Sequence, residues 1–88
     1  MTYAVLWQPQ ASKQAESLDY TIARRIHQAV GKLAAAPRPS GCTNLAGAAD
    51  LWRIRVGQYR VVYAIRDREL VVLVVLVVRV GHRREVYR

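Results

Sequence analysis

The chain has 88 residues, enough for one domain that folds without disulfides or metal, and its 52% hydrophobic content supplies a real core. Its formal charge of +8 comes from 14 basic residues, almost all arginine, against 6 acidic ones, a balance that points to nucleic acid ahead of an anionic membrane or an acidic protein. The lone Cys42 excludes an intramolecular disulfide, no Cys/His spacing offers a metal site, and Asp50 and Glu85 are too isolated to act as paired carboxylates. No run approaches the ~20 apolar residues of a spanning helix, and Met1 to Val5 lacks a basic region followed by an apolar stretch, so a cytoplasmic protein without a membrane partner is expected.

Tyr3 to Trp7 reads as a short strand with Tyr3, Val5 and Trp7 on one side, stopped by Pro9, where a helix can begin. Ala11 to Leu18 has helical composition, with Ala11, Ala15 and Leu18 at compatible spacing, and Asp19 then offers an N-cap for a second helix. In that helix Ile22, Ile26, Ala29, Val30 and Leu33 make an apolar stripe, and Arg24, Arg25, Gln28 and Lys32 face away. Pro37 and Pro39 end the helical hairpin, and Pro37 to Asp50 reads as an irregular connection that contains Cys42.

The stretch from Trp52 to Tyr63 reads as a β-hairpin. Gly57 supplies the positive φ of a tight turn, which sets Val56 against Tyr59 and Arg55 against Arg60. Strand alternation then gathers Trp52, Ile54, Val56, Tyr59, Val61 and Tyr63 on a packing face and Arg53, Arg55 and Arg60 on the other. Like charges across a ladder are unfavourable, and an anionic ligand would supply the reason for them.

A turn near Asp67 leads to a long apolar strand, Leu70 to Val80, built from three consecutive Leu-Val-Val triplets. Uninterrupted apolar residues fit a central strand covered on both faces. A three-residue unit also exchanges the faces of everything downstream, so the sequence predicts a bulge, or an extension past the neighbouring strands, near Val74 to Val78, leaving an apolar edge able to pair with another chain. The tail, Gly81 to Arg88, is the second chemical segment: if extended, it puts Arg83 and Tyr87 on one face, with His82 in the titration range for acid–base work. The fold class expected is α+β, an N-terminal strand and two-helix hairpin packed on a mainly antiparallel β-sheet, as a single domain over residues 1–88.

The core W-R-I-R-V-G-x-Y-R-V-V-Y and the terminal G-H-R-x-E-V-Y together resemble the RelE/ParE superfamily of toxin–antitoxin toxins over essentially the whole chain. The likeness to RelE-type members implies a metal-independent endoribonuclease without cofactor, cutting messenger RNA on translating ribosomes and neutralised by a RelB-like antitoxin. It implies that Arg53 and Arg55 are the two basic residues before the turn, Arg60 the arginine after it, and Arg83 and Tyr87 the terminal site residues; Arg84 and Arg88, which belong to the same basic cluster in the second half of the chain, are further RNA contacts expected from charge. Where such toxins carry a basic residue between the leucine and glycine of the connecting segment, this chain has Leu45-Ala46-Gly47. Lysine is usual at the place of Arg55, and arginine is a poor general base, which leaves His82, Tyr87 or a ribosomal group to take the 2′-OH proton. The competing readings are a ParE-like inhibitor of DNA gyrase and a non-catalytic homologue that only binds its antitoxin.

Overall fold

A computed structural model describes residues 2–79, so the expectations for His82, Arg83, Arg84, Tyr87 and Arg88 lie outside the described residues. In chain order the elements are β1 (Ala4–Trp7), α1 (Pro9–Glu16), α2 (Tyr20–Gly31) closed by a 3-10 turn at Lys32–Ala34, β2 (Thr43–Asn44), β3 (Leu51–Val56), β4 (Tyr59–Arg66) and β5 (Val71–Arg79). Pro9 stops β1 and opens α1, as expected, because its fixed φ suits the first helical position and its missing N–H removes a donor that would be orphaned there. The helix ends at Glu16, short of Leu18, where the Ser17 hydroxyl donates to the Gln14 carbonyl at 2.7 Å. Asp19 stands at the N-cap of α2 with extended backbone, but its side chain makes no capping bond; its carbonyl accepts from Ala23 N–H at 2.9 Å.

The five strands form one sheet in the order β1-β5-β4-β3-β2, antiparallel except for the parallel β1–β5 pair. Ala11, Ile26, Val30 and Leu33 from the helical segment pack on Ile54, Val61, Tyr63, Ile65, Val72, Val74 and Val77 from the sheet. Fully burying one of the larger aliphatic side chains contributes roughly 1.5–3 kcal/mol, so this layer is the main source of stability. Tyr63 is completely buried; its hydroxyl donates to the Pro37 carbonyl at 2.8 Å, and burial pushes its phenol well above the usual range.

The Leu-Val-Val repeat resolves as the sequence predicts, by a bulge. Val62 faces Leu76 and Tyr63 faces Val74, so Val75 is the surplus residue. One consequence is that Val72, Val74 and Val77 all reach the core, while Leu73 and Leu76 share the outer face. Strand β5 is central, as expected; among the described residues both helices lie on one side of the sheet, and Val78 on the other side is 38% exposed. The edge expected where β5 runs past its neighbour is present, and α1 covers part of it. β1 pairs with β5 only as far as Val74; beyond it, the Val77 N–H donates to the Gln14 side-chain oxygen of α1 at 2.9 Å.

Candidate functional site

The site is built around the β3–β4 turn. Gly57 has φ of +59° while Gln58 does not share a positive φ, the combination of a type II′ turn, whose twist matches that of the flanking strands. An added Cβ at Gly57 would meet nothing within 4 Å, so glycine is required by conformation and not by crowding. With the turn fixed, Val56 faces Tyr59, Arg55 faces Arg60, Ile54 faces Val61 and Arg53 faces Val62. Ile54, Val61 and Tyr63 are buried, and Trp52, Val56 and Tyr59 pack at the rim of the core, so the two faces divide as the alternation predicts.

On the outer face Arg53, Arg55 and Arg60 line one cavity of about 220 Å³, together with Gly41 and Thr43. Arg53 and Arg60 are half-buried and Arg55 is exposed, its Nε donating to the Gly57 carbonyl at 3.4 Å. No described carboxylate pairs with any of the three: Asp67 binds Arg38, and Glu69 lies 4.0 Å from Arg66. Three guanidiniums therefore converge with their charge uncompensated, and the cavity offers donors without an obvious proton acceptor. That is the arrangement expected of a clamp for phosphate oxygens.

Gly41 and Thr43 escaped the sequence reading. They enter the site because Thr43 pairs with Arg53 across β2 and β3, and a two-residue strand leaves too short a pattern to be read. A second cavity of about 310 Å³ shares Gly41 and Arg55 with the first, so the segment through Gly41 forms a wall between the two.

Upstream of that wall the chain is gripped by the sheet. Arg38 binds Asp67 through two hydrogen bonds of 3.2 and 2.8 Å, and Tyr3 donates its hydroxyl to the same carboxylate at 2.6 Å. The Arg38 guanidinium carbon lies 5.1 Å from the centre of the Trp52 ring. Hydrogen bonding from Arg38, then from Tyr3, holds the Asp67 carboxyl at about 2, below its ordinary value, and the bond to Asp67 raises the Tyr3 phenol in turn.

Comparison with known proteins then gives this geometry a context. Residues 5–87 match the family model described as the ParE toxin of the type II toxin–antitoxin system parDE. No curated protein matches. Among solved structures, the archaeal RelE–RelB complex from Pyrococcus horikoshii OT3 matches with a TM-score of 0.82 at 30% identity, over 93% of this chain and 99% of that one. The isolated Escherichia coli RelE toxin matches with a TM-score of 0.80 at 28% identity, over 97% and 90%. The toxin–antitoxin complex RelBE2 from Mycobacterium tuberculosis matches with a TM-score of 0.78 at 25% identity, over 90% and 99%.

Proposed function

Because the chain belongs to the ParE toxin family of type II toxin–antitoxin systems, within the RelE/ParE superfamily, we propose that it is a toxin of the ribonuclease kind, cutting messenger RNA on translating ribosomes. The observation that carries this reading is the cavity in which Arg53, Arg55 and Arg60 converge without a described carboxylate partner. RNA cleavage by 2′-OH attack develops negative charge on the phosphate oxygens, and fixed guanidiniums stabilise that charge more than they stabilise the ground state. Arg53 and Arg60, held by half-buried stems, are the phosphate clamp, and Arg55 at the rim meets the strand entering from solvent. Arginine stays protonated, so the proton of the 2′-OH passes to His82, to Tyr87 or to a ribosomal group as the 2′-oxygen bonds to phosphorus, and the P–O5′ bond breaks with a proton delivered to the leaving 5′-oxygen. Arg83 completes the charge on the phosphate, and Arg84 and Arg88 add backbone contacts. The reaction in this reading needs no metal.

The partner is an antitoxin of the RelB kind, whose acidic, partly disordered segment wraps the basic face and screens it. The likeness to RelE structures solved with RelB supports this. Gyrase inhibition is the second reading, favoured by the ParE description of the matching family. Induced expression in a bacterial host, with mapping of RNA 5′ ends, separates the two. Cuts inside coding regions support the ribonuclease; intact messages with double-strand DNA breaks support the gyrase inhibitor.

A further inference from the structure

Arg38 sits between Pro37 and Pro39. Each proline fixes its own φ, and the second also keeps Arg38 out of the helical region, so this is a stiff stretch of the connection. Three residues from separate parts of the sheet meet it, and a fourth steadies one of them. Tyr63 in β4 donates to the Pro37 carbonyl at 2.8 Å, Asp67 after β4 takes both ends of the Arg38 guanidinium, Trp52 in β3 lies under that guanidinium, and Tyr3 before β1 donates to Asp67.

Stability is a weak reason for the arrangement. The Arg38 and Asp67 side chains are 42% and 54% exposed, and exposed ion pairs contribute only about 0–1 kcal/mol. What the contacts determine is position. Gly41 follows Arg38 by three residues, a reach of at most about 10–11 Å, and the intervening chain is folded back by the Cys42 N–H on the Pro39 carbonyl at 3.1 Å. Gly41 adopts φ of +89°, and Thr43 is then locked to Arg53. Gly41 and Thr43 are the part of the cavity wall that is not arginine.

We propose that Arg38 and Asp67 are positioning residues for the arginine cavity: their ion pair, which does not itself line the cavity, holds the Gly41–Thr43 wall against Arg53, Arg55 and Arg60 and so sets how tightly the cavity closes on a phosphate. The identity of that phosphate as part of an RNA chain rests on the ribonuclease reading; the clamp does not.

The test uses the full chain, labelled with ¹⁵N and titrated with inorganic phosphate while the Gly41 and Thr43 amide signals are followed. The parent should show saturable shifts at both. Arg38→Gln and Asp67→Asn should weaken phosphate binding by about threefold or more, equivalent to about 0.7 kcal/mol, at a temperature where both remain folded. Asp67→Glu, which keeps the carboxylate, should stay near the parent. A purely structural pair would lower the melting temperature and leave phosphate affinity unchanged. Equal affinity in the parent and both single variants overturns the proposal, as does a parent whose Gly41 and Thr43 signals ignore phosphate, whether or not the protein cuts RNA. Weakened binding in the variants of a protein that leaves ribosomal messages intact would instead remove the ribonuclease reading and keep the clamp.

Discussion

Replacing Arg60 with glutamine should move stability and activity in opposite directions. Arg55 and Arg60 stand directly across the ladder one rung from the turn, a pairing whose Cβ atoms lie about 4.5–5.5 Å apart and whose like charges destabilise by roughly 0.2–1 kcal/mol. Arg60→Gln keeps most of the half-buried stem and removes the charge, so the variant should melt higher by about 1–8 °C in a chain of this length. Screening by salt weakens the repulsion in the parent, and the gain should shrink between low salt and about 0.5 M. Cleavage should fall by about 100-fold or more, the loss of about 2.7–4 kcal/mol expected when one preorganised donor to a developing anion is removed. Melting curves by circular dichroism at both salt concentrations, beside primer extension on ribosome-bound message, read the two effects. A variant that melts lower than the parent at low salt would make Arg60 a structural residue, and undiminished cleavage would remove it from the site.

Tyr63→Phe leaves the Pro37 carbonyl without its partner and should lower the free energy of urea unfolding by about 1–2 kcal/mol; no change would mean that water replaces the hydroxyl. Deleting one valine of the Val74-Val75 pair removes the surplus bulge residue and restores a regular ladder, so lost burial is offset by a gained rung and one fewer residue to order, and stability should stay within about 1 kcal/mol of the parent. Deleting Val62 offers no such relief, since both neighbouring strands would have to bulge; equal damage from the two deletions in a thermal melt would refute the assignment of the bulge. Asp67→Asn should destabilise the chain at pH 7. Because the folded carboxyl titrates at about 2 against an ordinary 3.8, its contribution is present above about pH 4 and lost as pH falls through 2, so the two melting temperatures should converge over that window.

The hairpin was readable because two strong local rules coincide there. Gly57 fixes the turn, alternation fixes the faces, and the pairing of Arg55 with Arg60 follows without any long-range information. The stripe of Ile22, Ile26, Val30 and Leu33 was readable for the same reason, as a helical period facing the core. What local pattern does not contain is contact between segments far apart in the chain. Asp67 and Arg38 are separated by 29 residues and Tyr3 and Asp67 by 64, so nothing near any of them announces the others. Thr43 joins the candidate site through a bridge of two residues, shorter than any period, and Gly41 comes with it. The far end of α1 lies two residues short of Leu18, because composition does not show that the Ser17 hydroxyl closes the helix on the Gln14 carbonyl.

The hydrogen bond from Val77 to Gln14 bears on how so apolar a strand is kept from pairing with another copy of itself. A sheet edge made of valine and leucine is an open template for another copy of itself, and charged side chains or prolines are the usual deterrents. Here β5 carries neither between Val71 and Val78. Instead the turn at Gln8 and Pro9 sends α1 back alongside the strand at the point where β1 runs out, and a single side-chain amide takes the place of the missing neighbour's carbonyl. Protection against self-templating thus comes from the element preceding β5 by some sixty residues in the chain, and any change that shifts α1 also uncovers the segment most able to nucleate aggregation.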